Sequence, residues 1–159
     1  RGERMHKSVV TPLKNMLAAA KKDKINITIL SAFRSVNYQK NLFYGIAKKR
    51  NQTLEQRAKV SAPPGHSEHH TGYVFDFGDA TQPVTDLETT FADTPTGVWL
   101  KKNAHMYGFE MSFPKDNLQG VSFEPWHWRY VGNNKACQHF HTARTTFVET
   151  ATIPCATPK

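Results

Sequence analysis

Residues able to hold a metal ion are gathered in the run Ser67-Glu68-His69-His70-Thr71-Gly72-Tyr73-Val74-Phe75-Asp76, where His69 is followed by six residues and then Asp76. Zinc accepts imidazole nitrogen and carboxylate oxygen at about 2.0–2.2 Å, and a catalytic zinc keeps three protein ligands with water in the fourth position. His69 and Asp76 would be two ligands, and Glu124-Pro125-Trp126-His127 offers the third. If residues 127–131 form a strand beside residues 73–77, His127 faces the same ion, and Glu124 on the loop just ahead can reach its water. Asp76 also stands inside an otherwise apolar strand, where a carboxylate without a partner is expensive. Something positive should meet it, either an arginine or a metal ion.

Other residues compete for these roles. His66 and His70 flank His69, and His139-Phe140-His141 would put two imidazoles on one face if extended. His66-Ser67-Glu68 imitates half of a zinc deaminase motif, but Pro154-Cys155-Ala156-Thr157-Pro158 lacks the second cysteine which that motif requires. His-Glu-x-x-His, Gly-x-Ser-x-Gly and the phosphate-binding glycine patterns are absent. Glu124 alone could cap a turn, and Trp126 and Trp128 suit a core better than a ligand-stacking role.

The elements that must position these residues follow from periodicity. Met5, Val9, Val10, Leu13, Met16, Leu17 and Ala20 form one helical stripe over residues 5–23, although Thr11-Pro12 could instead mark a later helix start. Ile25, Ile27 and Ile29 alternate with polar residues as a half-buried strand. Ser35 reads as the N-cap of a second helix burying Tyr38, Leu42, Phe43 and Ile46, and a short helix is expected in residues 53–60. Residues 61–65 are loop by composition, and residues 73–77 a strand. A helix is expected over residues 96–107, with Val98, Leu100, Ala104 and Tyr107 inward, then strands at 109–113 and 127–131. The tail from residue 133 should be helical at first and then irregular. Helices and strands without regular βαβ spacing predict an α+β fold, a small, mostly antiparallel sheet with helices packed on it, as one domain over residues 1–159.

The chain has 159 residues, 21 Lys+Arg against 13 Asp+Glu, and a formal net charge of +8. That balance favours an anionic partner, and nucleic acid, an acidic membrane face and an anionic wall polymer all qualify. No apolar stretch approaches the ~18 to 20 residues of a membrane span, so a soluble domain is expected, with a leader or anchor outside this sequence compatible with it. Aromatic residues at 11 % and charged residues at 21 % argue against a disordered chain. Cys137 and Cys155, eighteen positions apart, suit either a staple closing that loop or two reduced thiols.

Taken together, Ser67-x-His69-x-x-Gly72-x-Val74-x-Asp76 and Glu124-x-x-His127 resemble the zinc signature of VanY-type D-alanyl-D-alanine carboxypeptidases. Ser31-Ala32-Phe33-Arg34-Ser35-x-x-x-Gln39 is similar to that family's Ser-Gly-Tyr-Arg-Ser-x-x-x-Gln element, and Tyr107-Gly108-Phe109 and Glu124 through Gly132 match its C-terminal half. The likeness covers about residues 5–132 and leaves the tail at 133–159 without a counterpart. Val74 stands where alanine is usual and Ala32-Phe33 where Gly-Tyr is usual; both departures spare the metal site but bear on pocket shape.

The resemblance implies that His69, Asp76 and His127 hold Zn²⁺ and that Glu124 is the catalytic base. It implies that Arg34 binds a substrate carboxylate or the developing oxyanion, with Ser67 and Gln39 as further substrate-positioning groups. A helix-supporting salt bridge is the ordinary alternative for Arg34. The implied activity is D,D-carboxypeptidase removal of the terminal D-alanine from peptidoglycan stem peptides. L,D-carboxypeptidase and endopeptidase activities share the ligand set, and a non-catalytic wall-binding module is a further alternative, drawing on the charge and on aromatic residues such as Trp99. A bacterial cell-envelope location, a monomer and no nucleic-acid partner follow as expectations, and an oxidising compartment would favour the Cys137–Cys155 disulfide.

Overall fold

The computed structural model describes residues 3–146 and Cys155. A 3₁₀ turn at Lys7–Val9 runs into helix α1 (Val10–Lys22), which buries Leu13, Met16 and Ala20 in the period the stripe predicts. Thr11-Pro12 lies inside the first turn of α1, not at its cap, because the preceding 3₁₀ turn has already started the helix. Strand β1 (Ile27–Ser31) leads to helix α2 (Val36–Lys49), capped by Ser35, whose hydroxyl accepts from the Tyr38 N–H. Helix α3 (Leu54–Ala58) opens with a capping box in which Thr53 and Gln56 satisfy each other's backbone N–H groups. Strand β2 (Val74–Asp79), helix α4 (Pro95–Asn103), strand β3 (Phe109–Met111) and strand β4 (His127–Tyr130) follow. Helices α5 (Asn134–His139) and α6 (His141–Thr146) make up the described part of the tail. The irregular stretch expected after them lies outside the described residues.

The four strands form an entirely antiparallel sheet in the order β1-β2-β4-β3, so the fold is α+β. The last strand is inserted between β2 and β3, and this sets the register that matters: Asp76 pairs with His127, Val74 with Arg129, and Arg129 with Glu110. Paired residues share a face and successive residues alternate. Asp76, His127, Arg129 and Glu110 therefore lie on one face, while Phe75, Phe77, Trp128, Tyr130 and Phe109 lie on the other.

The apolar face is the core. Phe75 stacks on Phe77 at 5.8 Å between ring centroids, and both meet Phe109 edge-on at 6.0 and 6.3 Å. Val9, Leu13 and Met16 at the N-terminal helix and Leu100 and Ala104 from the α4 region belong to the same buried cluster. β2 is buried along its whole length, which explains why a carboxylate there must be matched by charge on the opposite face.

Two expected inward positions are exposed. Tyr38 is 57 % exposed, and α2 buries Gln39 instead, since the Gln39 side-chain amide donates to the Ala62 carbonyl at 2.7 Å and to Ser61 Oγ at 3.2 Å. In α4, Val98 is 56 % exposed while Trp99, expected outside, is buried. The Trp99 indole N–H donates to Asp23 Oδ2 at 2.7 Å and its ring stacks on Tyr107, so one hydrogen bond to the end of α1 turns the helix by a residue. The strands expected at 109–113 and 127–131 are shorter, at Phe109–Met111 and His127–Tyr130, and β3 ends early because residues 112–126 leave the sheet as a loop.

The aromatic stack on the core face predicts that Phe75→Ala lowers unfolding free energy by about 3–5 kcal/mol, the usual result of emptying a buried aromatic site. Urea denaturation of the purified variant measures it. An unchanged midpoint would mean that the three rings do not hold the sheet together.

Candidate metal and catalytic site

The site begins with a 3₁₀ turn, Glu68–Thr71, that carries His69 to the end of β2. Gly72 ends the turn at φ +72°, and a Cβ there would meet the His6 backbone nitrogen at 3.1 Å, so both conformation and space call for glycine. The turn is tied to the segment ahead of α2 by the Arg34 N–H, which donates to the His69 carbonyl. Asp76 projects from the middle of β2. His127 opens β4 directly opposite, after a turn in which its own N–H donates to the Glu124 carbonyl at 3.1 Å.

These elements bring His69, Asp76 and His127 together, each buried and each offering one donor atom, all within 4.8 Å of one another. His69 Nε2 lies 3.2 Å from Asp76 Oδ2, and His127 Nδ1 lies 3.2 Å from Asp76 Oδ1. Glu124 Oε2 is 3.6 Å from His127 Nδ1. Among the described residues no other group of three such side chains converges. The competing histidines are engaged or distant: His70 Nδ1 donates to the Arg34 carbonyl, while its Nε2 accepts from the Gly65 N–H. His66 is exposed on the loop, and His139 packs by Tyr73.

The orientation of both imidazoles is set from behind. His69 Nδ1–H donates to the Ala32 carbonyl at 2.6 Å, which leaves the Nε2 lone pair facing the cluster. His127 Nε2–H donates to Glu68 Oε2 at 3.0 Å, which leaves Nδ1 facing it. Such a partner on the far nitrogen is what fixes the tautomer of a metal-ligating histidine. Glu68 is a site residue that no sequence motif marks. Its only signal was a carboxylate beside His69, without indication that it would reach a strand 59 positions away.

Charge follows from burial. Burial holds the His69 imidazole below its ordinary pKa, against the pull of Asp76, so it is neutral and able to donate a lone pair. Burial opposes the charged form of His127, yet Asp76 and Glu68 on either side outweigh it and raise the ring to about 10. Burial likewise works against ionised Asp76, but His69 and His127 keep the carboxylate well below its usual range. Glu124 moves the other way: burial, reinforced by Asp76 and Glu68 against His127 and Arg34, raises its carboxyl to about 7.

Arg34 Nη2 sits against His69 Nε2 at 2.8 Å and makes direct contact with Asp76 Oδ2. A positive group is thus drawn to the donor atoms, as the buried carboxylate requires. Asp76 Oδ1, in contrast, is buried without a hydrogen bond, its approach to His127 Nδ1 lacking the alignment. The neutral His69 ring, the His127 ring once a cation displaces its Nδ1 proton, and an ionised Asp76 with one orphaned oxygen form a donor set that fits a zinc ion. Gln39 is committed to Ser61, Ala62 and, at 3.5 Å, Arg34 Nη1, so it braces Arg34. Ser67 is buried at the start of the 3₁₀ turn. In the C-terminal part of the chain, Cys137 and Cys155 are joined as a disulfide.

Comparison with known proteins agrees with this geometry. The family model described as VanY, D-alanyl-D-alanine carboxypeptidase, matches residues 2–133. A putative carboxypeptidase, YodJ of Bacillus subtilis (strain 168), is 35 % identical over 135 residues, covering 83 % of this chain and 48 % of that protein. The chain therefore spans about half the length of this curated relative. Among solved structures, the LdcB LD-carboxypeptidase is 32 % identical with a TM-score of 0.73, over 84 % of this chain and 62 % of the other. A vancomycin-resistance D,D-pentapeptidase VanY variant in complex with Zn(II) is 28 % identical with a TM-score of 0.69, over 89 % and 80 %. With the motif, the sheet and the family match in agreement, this chain belongs to the VanY family of D-alanyl-D-alanine carboxypeptidases.

Proposed function

We propose that the protein is a zinc-dependent D,D-carboxypeptidase that releases the terminal D-alanine from peptidoglycan stem peptides in the bacterial cell envelope. The observation that carries this reading is the convergence of His69, Asp76 and His127 beside a buried Glu124. In this reading His69 Nε2, Asp76 and His127 Nδ1 hold the ion. A zinc ion there supplies Lewis acidity, acidifying a water and polarising a carbonyl.

The chain's own groups do the rest. Glu124 Oε2 removes a proton from the attacking water and returns it to the departing amine of D-alanine. Burial beside the cluster disfavours a lasting charge on this carboxyl, which suits it to taking a proton and passing it on. Arg34, buried less deeply than the ligands, binds the substrate's terminal carboxylate or the developing oxyanion through charge-assisted hydrogen bonds. Gln39 and Ser31, whose Oγ accepts from Arg34 Nε at 2.9 Å, aim that guanidinium, and Ser67, at the start of the turn that carries His69, is a further substrate-positioning group. The likeness to LdcB supports a second reading, an L,D-carboxypeptidase acting on the tetrapeptide stem, with the same residues in the same roles.

Pentapeptide and tetrapeptide stems, each incubated with and without chelator, separate the readings. D-alanine release from the pentapeptide that chelator abolishes and zinc restores is expected; preference for the tetrapeptide would establish the L,D activity, and no release from either would remove the carboxypeptidase reading. Glu124→Gln should lower kcat by about 10²-fold or more while zinc still binds. An active Glu124→Gln enzyme would transfer the base role elsewhere.

The raised Glu124 carboxyl also makes a prediction about stability. Between its unfolded value near 4.5 and its folded value of about 7, the folded state holds the proton more tightly, so rising pH destabilises the metal-free protein. Glu124→Gln should thus gain stability over wild type as pH rises through that window, reaching at most on the order of 3 kcal/mol above pH 7. Urea titrations of both metal-free proteins at pH 5 and pH 8 measure it, and an equal difference at the two values would contradict the assignment.

A further inference from the structure

Beyond residue 133, where the family match ends, the tail enters the interior. Arg144 of α6 is 3 % exposed and holds Glu110 through both carboxylate oxygens, Nε to Oε1 at 2.7 Å and Nη2 to Oε2 at 3.0 Å. Glu110 Oε1 also accepts from Arg129 Nε at 2.8 Å. Arg129 Nη1 in turn donates to Glu68 Oε1 at 2.9 Å, and Glu68 Oε2 accepts from His127 Nε2. An unbroken series of alternating charges thus joins α6 to His127, whose other nitrogen faces the metal cluster. The tail braces this series twice more. Phe140 lies beneath the Arg129 guanidinium at 5.5 Å, and Arg144 Nη1 points at both sulfurs of the Cys137–Cys155 disulfide, each at 2.9 Å.

We propose that Arg144, anchored by the disulfide-closed tail, is a positioning residue for the metal centre, acting on His127 through Glu110, Arg129 and Glu68. The physical argument is geometric. Two carboxylates and two guanidiniums are buried together, and each fork-shaped contact fixes the plane of the next group. Glu110 held by one arginine instead of two would draw Arg129 to itself and release Glu68. Glu68 would then no longer hold the Nε2–H tautomer of His127 in register, and outer partners of ligating histidines typically govern metal affinity by 10–100-fold. The zinc arm of the test rests on the metal-site reading above, and a metal-free arm stands apart from it.

Zinc affinity, read by competition with a chromophoric chelator on the full chain, is compared for wild type, Arg144→Met, Glu68→Gln and the double variant. Each single substitution should weaken zinc by about tenfold. The double variant should bind no more weakly than Glu68→Gln alone, because the two residues act in series. Additive losses, an unchanged Arg144→Met or tighter binding by it would overturn the proposal. Should Arg144→Met fail to fold, Arg144→Lys keeps the charge without the fork. A loss on the order of threefold, absent in the Glu68→Gln background, is then expected, and an additive loss overturns the proposal equally. In metal-free protein the His127 Nε2 proton, protected by Glu68, should exchange with water faster in Arg144→Met or Arg144→Lys than in wild type. Equal exchange rates would overturn the proposal, whereas absence of zinc binding by wild type would overturn only the metal-site reading.

Discussion

A carboxylate in the middle of a fully buried strand is the constraint from which the rest of this molecule follows. Asp76 cannot remain ionised at 2 % exposure without positive charge around it. The Arg34 guanidinium and the charged His127 ring supply it beside the neutral His69, and losing either cation would leave the charge poorly compensated. The same need makes the cluster suited to a divalent ion, since a charge this costly to bury is held ready for a cation.

The sheet meets this demand by dividing its faces. Insertion of β4 between β2 and β3 aligns Asp76, His127, Arg129 and Glu110 on one side and aromatic rings on the other. The aromatic face supplies burial and rigidity, and the charged face supplies chemistry. Side chains of the cluster are held by groups outside it: His69 by the Ala32 carbonyl, His127 by Glu68, and the neighbouring Arg34 by Ser31 and Gln39. A site built in this way is oriented before a substrate arrives, which is where much of the catalytic advantage of charged groups lies.

The opposed behaviour of the two glutamates near His127 shows how placement sets role. Glu68 meets Arg129 and His127 directly and stays ionised, its carboxyl lowered to about 2 despite burial. Glu124 is buried with weaker compensation and rises to about 7. One is a fixed anion that orients the His127 ring, and the other is a group able to exchange a proton. Both are glutamates one turn or one residue away from a histidine of the cluster, and only their surroundings distinguish them.

Local chemistry determined a good deal from the sequence alone. The Ser35 cap, the stripe of α1, the alternation of β1 and the His69/Asp76 and Glu124/His127 spacings all depend on neighbours within a few positions, so periodicity and motif expose them. Whatever depends on a distant partner was decided by the tertiary structure. Trp99 turned inward because Asp23 waits at the end of α1, Gln39 replaced Tyr38 because the 61–62 loop offers its amide two acceptors, and Glu68 gained its role only when β4 brought His127 and Arg129 beneath it. A buried polar group is satisfied by whichever partner the fold delivers. That delivery is a property of packing, which no stretch of neighbouring residues encodes.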